Sequence, residues 1–287
     1  MTVGGQVPGA GETVAARPPL SWGPSIDTLS ADAQAAGRVP PLDAEFWTVK
    51  LLAATVGEGA ADHLSGTRGL GPGTSILIAG GLLGGVLMLQ LAQRRHVPAV
   101  YWLVVVLISV VGQLSIDELV HVHGVGPCVC ALGCSAALAT TFAAWFAVEG
   151  TLSIRTVDTL RREAFCWLAI LLAFALGDAG GELLDALAGP AHLAVAAVSA
   201  ILLALVALAH TRLGLGPSAA FWLAYVLTHP LGAALGHVVS RRPEEGGLGL
   251  GPRLTSALFL AGIVATVAWM TLRWRADQDG TLRGPPR

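Results

Sequence analysis

The stretch WTVKLLAATVGEGAAD, residues 47–62, contains the pattern on which the interpretation of the whole chain depends. Trp47 is followed after nine residues by Gly57 and after four more by Asp62. The same two spacings recur in three later segments: Trp102–Gly112–Asp117, Trp167–Gly177–Glu182 and Trp222–Gly232–His237. Two constant spacings do not recur four times by chance. This Trp–Gly–acid pattern therefore indicates an internal repeat.

The composition of the 287 residues is that of a membrane protein. Hydrophobic residues make up 54% and charged residues 13%, with a mean hydropathy of +0.67, whereas soluble domains carry about 25% charged residues. The net charge of −2 argues against nucleic acid as a partner. The four cysteines all lie in apolar segments, so they form no extracellular disulfide framework.

Apolar windows of about 20 residues predict the transmembrane helices. The expected fold class is all-α, a polytopic membrane protein with eight transmembrane helices arranged as four tandem hairpin repeats. Each repeat supplies two helices, and the Trp–Gly–acid pattern always lies on the first of them. The predicted helices cover 46–65, 74–93, 99–120, 126–148, 163–184, 191–211, 218–239 and 254–273.

The distances between successive pattern tryptophans predict how the repeats are grouped. They are 55, 65 and 55 residues, and the longer middle step contains a polar segment. We therefore expect a disordered N-terminal tail, a first membrane half with repeats 1 and 2, a cytoplasmic linker, a second membrane half with repeats 3 and 4, and a C-terminal tail. Their bounds are 1–44, 45–148, 149–162, 163–273 and 274–287.

Charge placement predicts the orientation and the layering of the helices. Nine arginines lie on the side of the two tails and four on the opposite side, so the positive-inside rule places both termini in the cytoplasm. The first, third, fifth and seventh helices carry nearly all the ionisable residues within the spans. Because charged groups avoid lipid, we expect these helices to form an inner layer and the others a lipid-facing shell.

Ionisable side chains at equivalent repeat positions are the candidate cation or proton site. Each charge at mid-bilayer costs about 2.5–3.5 kcal/mol, so these groups must be protonated, paired, bound to a cation or in contact with water. We expect them to face the bundle axis. The candidates are Glu58, Asp62, Asp117, Asp178, Glu182 and His237. The alternative is that they only join the inner helices through hydrogen bonds, or are solvated at the outer interface.

Three further features have simpler interpretations. The pattern tryptophans fit an aromatic belt at the cytoplasmic membrane interface. Lys50, the only lysine in the chain, is expected to extend its ammonium to that interface, with pairing to a carboxylate of a neighbouring helix as the alternative. The pattern glycines are expected at close helix contacts. A second surface of this kind is expected at Gly80, Gly81, Gly84 and Gly85.

A cluster after the third predicted helix combines ligand types that suit a metal. Asp117 and His121 share a helix face at four-residue spacing, and His123, Cys128 and Cys130 follow. Carboxylate, imidazole and thiolate suit divalent transition metals. His121, His123 and Asp117 are therefore the candidate ligands of a divalent metal ion. The alternative is that the cysteines are small packing residues and the histidines interface residues, since this spacing is weaker than a zinc motif.

The residues around the pattern resemble a bacterial family. Phe46-Trp47 with Gly57 and Asp62 carries the resemblance in the first repeat, and 220–232 carries it in the fourth. Over 46–273 the chain resembles the uncharacterised membrane-anchored protein family built from four tandem two-helix repeats. The resemblance implies a multi-pass protein of the bacterial inner membrane, without a settled activity. The chain departs from the family pattern at Cys166, Asp178, Glu182, His229 and His237.

These observations lead to two hypotheses about function. No catalytic triad, phosphate-binding loop or nucleotide fingerprint lies in a suitable context, so we expect no enzyme. The first hypothesis is a small cation or metal-ion transporter that uses intramembrane carboxylates. The second is a structural or sensory membrane protein, without transport, whose polar residues only hold the helix bundle together. Beyond the lipid bilayer and a small cation the sequence indicates no partner, and it leaves the oligomeric state open.

Overall fold

The computed structural model describes residues 40, 42–67, 71–93, 97–154, 157, 159–188, 192–245 and 247–278. Within these residues the chain is helical and contains no strand, which confirms the all-α class. Eight long helices follow one another: α1 Ala44–Asp62, α2 Pro72–Ala92, α3 Pro98–Asp117, α4 Pro127–Glu149, α5 Leu160–Ala188, α6 His192–Arg212, α7 Pro217–Ser240 and α8 Pro252–Gln278.

Short segments complete the described chain. Single π-helical turns, His63–Thr67 and Glu118–Val122, continue α1 and α3. A 3-10 turn, Pro243–Glu245, lies between α7 and α8. Most of the predicted tail 1–44, part of the predicted linker 149–162 and most of the C-terminal tail lie outside the described residues. The predicted domain bounds therefore stay predictions.

Local signals explain where the helices begin. Proline occupies the start of α2, α3, α4 and α7. Its fixed φ suits the first helical turn, and its missing N–H would have no partner there. At the start of α1, the Asp43 side chain accepts a hydrogen bond of 2.9 Å from the backbone N–H of Phe46. This is the usual N-cap interaction.

Seven helices, α2 to α8, are long and apolar enough to cross a membrane. The chain is therefore a multi-pass helical membrane protein. The predicted count was eight, and α1 is the helix outside this class. It carries Glu45, Lys50, Glu58 and Asp62 within 19 residues, which lowers its hydropathy below that of the others.

The odd-numbered helices α1, α3, α5 and α7 form a closed ring in which each helix packs against the next and α7 packs against α1. The pattern glycine of each helix meets the residue seven positions after the pattern tryptophan of its neighbour. The four contacts are Gly57 with Ser109, Gly112 with Phe174, Gly177 with His229 and Gly232 with Ala54. The predicted role of these glycines at close helix contacts is confirmed. Because equivalent positions meet, the four helices run parallel.

The ring has two distinct ends. At one end, which we call the tryptophan end, lie the four pattern tryptophans. At the other, which we call the carboxylate end, lie the residues that finish each pattern: Asp62, Asp117, Glu182 and His237. Since all four helices run the same way, every inward-facing side chain has three counterparts at the same depth.

The even-numbered helices form the predicted outer layer, but not as hairpins. Each packs along the odd-numbered helix that follows it: α2 on α3, α4 on α5, α6 on α7 and, closing the circle, α8 on α1. The two helices of each predicted hairpin touch only slightly. Between 50% and 56% of the residues in the spans of α3, α5 and α7 are buried, against 17–22% in the even-numbered spans. The inner and outer layers are therefore confirmed.

Three of the four pattern tryptophans are buried and do not form the predicted membrane-interface belt, whereas Trp47 is half-buried. Trp102, Trp167 and Trp222 are only 2–5% exposed. Seven residues are close to two turns of an α-helix, so each tryptophan shares the inward face that carries the glycine contact. Together with neighbouring rings they fill the tryptophan end of the bundle. This aromatic plug consists of Phe46, Tyr101, Trp102, Trp167, Phe221, Trp222 and Tyr225.

The second predicted glycine surface is also absent from the described part of the chain. A Cβ atom at Gly80, Gly81, Gly84 or Gly85 would meet nothing within 4 Å. Since α2 belongs to the outer layer, these glycines lie on the face that points away from the ring.

Replacing a ring glycine by alanine tests this architecture. A Cβ at Gly232 would lie 2.6 Å from the backbone oxygen of Leu51 and 2.8 Å from Ala54 Cβ. Backbone cannot move aside cheaply, so we expect Gly232→Ala to destabilise the fold by about 1–3 kcal/mol. Gly81→Ala is the matched control, because it adds a methyl in open space and favours the helix by about 0.5–1 kcal/mol. Thermal unfolding in detergent measures both, and equal midpoints would contradict the ring packing.

Candidate functional site

A polar cavity of about 50 Å³ lies inside the ring towards its carboxylate end. Residues of α1, α3, α5, α6 and α7 line it. Each enclosed water needs roughly 10–15 Å³ of such space, so the cavity holds a few water molecules or one small ion. It is far smaller than the roughly 300–1,000 Å³ of pockets for drug-sized molecules. The ionisable lining residues are Glu58, Asp178, Glu182, Asp185, His192, His229 and His237.

A buried carboxylate–imidazole pair forms the floor of the cavity. His229 Nε2 on α7 and Asp178 Oδ1 on α5 share a hydrogen bond, and the two side chains are only 2% and 1% exposed. Asp178 Oδ2 and His229 Nδ1 have no hydrogen-bond partner in the described part of the chain. Removing one member of a buried pair costs about 3–5 kcal/mol, because the other is left uncompensated.

A second pair lies nearer the mouth. Glu58 on α1 and His237 on α7 are in contact through Oε1 and Nε2, with side chains 16% and 28% exposed. The His192 ring lies 4.3 Å from the His237 ring. Exposure therefore rises from the floor pair to the mouth pair, and the cavity opens at the carboxylate end.

The two carboxylates of these pairs occupy the same repeat position, eleven residues after the pattern tryptophan. Their partners lie in opposite directions along α7. Asp178 pairs with His229, towards the aromatic plug, whereas Glu58 pairs with His237, towards the mouth. The two carboxylates lie at one depth in the bundle, whereas their two imidazole partners lie at different depths, one on each side of it.

Lys50 lies beyond the floor, among the aromatic rings. It is fully buried, and its Nζ lies 3.7 Å from the centre of the Phe174 ring and 4.6 Å from that of Tyr225. A desolvated cation–π contact contributes about 2 kcal/mol. The predicted extension to the membrane interface is wrong, because Lys50 lies on the inward face of α1. The ammonium also forms no hydrogen bond within the described residues, so the alternative of direct pairing is not observed either.

Asp62 lies apart from the cavity. It is exposed and lines a groove between α1 and α8. The expectation that it faces the bundle axis is wrong, because Asp62 is the last residue of α1 and α8 packs beside that end. Glu58, Asp178, Glu182 and His237 do come together around the cavity.

Asp117 belongs to a second cluster at the mouth. Ligand atoms of Asp117, His121 and Glu182 lie within 4.8 Å of one another, and His121 Nε2 is 3.5 Å from Glu182 Oε1. Gln113 Nε2 donates a hydrogen bond of 2.8 Å to Asp117 Oδ1. Two carboxylates and one imidazole form a ligand set that suits a divalent transition metal. We call these three residues the mouth cluster.

The predicted metal ligand His123 does not join the mouth cluster. Its Nε2 lies 3.5 Å from Glu118 Oε1, because the π-helical turn Glu118–Val122 changes the direction of the chain just before it. Glu182 of α5 takes the third place instead. Cys130 is buried against Ile116, which agrees with its interpretation as a packing residue, and Cys128 is exposed.

Four residues around the axis were missing from the candidates. They are Lys50, Asp185, His192 and His229. A signal for His229 does exist in the sequence, since it lies seven residues after Trp222. Ala54, Ser109 and Phe174 hold that place in the other repeats. His229 can be identified as a site residue only once it is known that this position contacts a neighbouring helix.

Comparison with known proteins agrees with the repeat. Residues 46–96 and 220–275 match the family model described as Repeat of Unknown Function (DUF347). These segments contain the first and fourth copies of the Trp–Gly–acid pattern, and the other two copies hold equivalent places in the ring. No curated protein and no solved structure matches the chain significantly. Two segments of the chain are therefore similar to this repeat of unknown function.

Proposed function

We propose that this protein is a transporter of a small cation, and that the polar cavity is its cation site. The observation that carries the proposal is the buried Asp178–His229 pair at the floor of a polar cavity inside a ring of membrane helices. Ionisable residues inside membrane bundles are costly, and where they line a cavity they typically mark ion or proton pathways. If these residues only stabilised the bundle, apolar side chains could do so without the free-energy cost of burying ionisable groups.

The size and chemistry of the cavity limit the substrate. A cavity of about 50 Å³ admits an ion but no organic solute of ordinary size. Carboxylate and neutral imidazole groups bind divalent transition metals, and both groups also exchange protons. The substrate class that fits is therefore a divalent transition metal ion, with protons as the ions that exchange against it.

The cavity opens on one side only. Its mouth lies at the carboxylate end, whereas the aromatic plug fills the tryptophan end. A transporter needs access from each side in turn, usually through the movement of one group of helices against another. We infer that the arrangement described is one of the two access states, and that the plug is the part that rearranges.

The proposal includes a topology. We place α1 across the membrane as an eighth span, because it completes the ring and turns Lys50 and Glu58 inwards. With both termini in the cytoplasm of a bacterial cell, the tryptophan end faces the cytoplasm and the cavity opens outside the inner membrane. Reporter fusions test this. A cytoplasm-active reporter should work at the C-terminus and fail within the loop 241–251 between α7 and α8, and the reverse pattern would contradict the orientation.

Substitution of the paired carboxylates tests transport. In proteoliposomes loaded with a metal-sensitive dye, we expect Asp178→Asn and Glu58→Gln to lower Mn²⁺ or Zn²⁺ influx at least about tenfold. A hydrogen bond to a charged group is worth about 1.5–3 kcal/mol, and 1.4 kcal/mol corresponds to a factor of ten. Asp62→Asn is the matched control, because Asp62 lies outside the cavity, and its flux should stay near that of the parent. Unchanged flux in both cavity variants would end the proposal.

The mouth cluster predicts where the metal first binds. We expect His121→Ala to weaken Zn²⁺ binding by about tenfold or more, the scale seen when the surroundings of a metal site are altered. His123→Ala is a close control, since His123 lies two residues further on and contacts Glu118 instead. Calorimetric titration of both variants in detergent measures the difference. If the two variants lose the same affinity, or neither loses any, the mouth cluster is not the entry site.

A second candidate function is a structural or sensory role without transport. The observation in its favour is that both deep carboxylates already have an imidazole partner. In that case Asp178→Asn should lower thermal stability while no cation of a tested panel crosses the liposome membrane in the parent. In neither case do we expect covalent catalysis.

A further inference from the structure

Lys50 is the buried charge that the cation site leaves unexplained. The chain contains seventeen lysine and arginine residues, and Lys50 is the only lysine among them. It is fully buried, and no hydrogen-bond acceptor lies near its Nζ in the described residues. Lysine carries a compact ammonium on a flexible four-carbon chain, whereas the arginine guanidinium is planar and bulky. A lysine at position 50 can therefore move its charged group more easily than an arginine could.

The ammonium lies one helical turn below the floor of the cavity. It rests against the rings of Phe174 and Tyr225. Phe174 precedes Asp178 by four residues on α5, and Tyr225 precedes His229 by four residues on α7. One turn corresponds to about 5.4 Å along a helix. The ammonium and the floor pair are thus neighbours along the axis.

Asp178 has a carboxylate oxygen that could accept a hydrogen bond from the Lys50 ammonium. Its Oδ1 is bound by His229, whereas its Oδ2 is buried without a partner. Space beside Oδ2 exists because residue 112 is glycine: a Cβ there would lie 3.0 Å from this oxygen. A buried donor without an acceptor and a buried acceptor without a donor therefore lie on neighbouring turns of the bundle.

We propose that Lys50 is an internal competitor for the cation site. When neither a cation nor the imidazole of His229 occupies Asp178, the ammonium moves to Asp178 and neutralises it. When either of them occupies Asp178, the ammonium withdraws onto the Phe174 and Tyr225 rings. The described arrangement is the withdrawn one. The consequence of this inference rests on the proposed function. Between the release of one cation and the binding of the next, the Asp178 carboxylate is never left uncompensated.

The single lysine makes a direct test possible. Protein labelled with ¹⁵N-lysine shows one side-chain amine signal, which reports on Lys50 alone. In Asp178→Asn the ammonium has no carboxylate to move to, so its protons should keep the upfield shift that aromatic ring currents cause. In His229→Asn the competing imidazole is gone, so the ammonium should bind Asp178 and lose that shift. Asp62→Asn serves as the control and should match the parent.

This test does not depend on transport or on any metal. Identical Lys50 signals in Asp178→Asn and His229→Asn, or a ¹⁵N shift of a neutral amine in both, would overturn the inference. If Asp178→Asn does not fold, comparison of His229→Asn with the parent still decides it, and if His229→Asn does not fold, His229→Gln takes its place. A moving Lys50 signal in a protein that carries no cation would leave the inference standing and count against the proposed function alone.

Removal of the ammonium tests its competition with a cation. We expect the double variant His229→Asn/Lys50→Met to bind Zn²⁺ about tenfold more tightly than His229→Asn, in which the ammonium holds Asp178. This is the factor expected when a competitor fills about nine-tenths of the free sites. Affinities within about twofold of each other would show that Lys50 does not compete, whether or not the protein transports Zn²⁺.

Discussion

The contact between each pattern glycine and the next odd-numbered helix is the constraint on which the bundle depends. Four such contacts close a ring, from Gly57 on α1 round to Gly232 on α7. Because glycine has no side chain, the helices approach closely enough for van der Waals packing, which is the main attraction between helices in lipid. The ring also fixes depth. Side chains at one repeat position must lie at one level, so the chemistry of the axis follows from the repeat.

Function in this architecture arises where the repeats differ. The position eleven residues after the tryptophan holds Glu58, Gln113, Asp178 and Ala233 in the four repeats. A ring with one carboxylate from every helix would place four like charges at one level. Here two carboxylates and two uncharged residues share the level, and both imidazole partners come from α7. The cavity therefore lies to one side of the ring, near α5 and α7, and not at its symmetric centre.

The parts of the fold that depend on a single helix could be predicted. Apolar windows located all eight helices, and the charge on alternate helices separated the inner from the outer layer. What failed were three inferences about what lies beside a particular helix. The predicted hairpins, the tryptophan belt and the interface position of Lys50 all assumed contact with lipid or with the next helix in sequence. In the structure each even-numbered helix packs on the odd-numbered helix that follows it, and α8 packs on α1, so that assumption is wrong.

The same limit applies to the site. Asp178 and Glu58 stood out because a carboxylate is costly in lipid, which is a property of the residue itself. His229 did not, since its importance comes from Gly177 of the neighbouring helix, which lies against it. Likewise Glu182 meets His121 only across two helices. No spacing within either helix contains that information.

The packing of α8 on α1 has a consequence for biosynthesis. Helices are made in the order of translation, and α1, with Glu45, Lys50, Glu58 and Asp62 in 19 residues, is the first of the eight described helices. Its outer cover is the last helix to be made, and its ring neighbour α7 comes only shortly before. Until α7 and α8 have been made, α1 therefore has a surface that the finished fold covers. Loss of α8 would uncover the helix farthest from it in the sequence, so the two ends of the described bundle depend on each other.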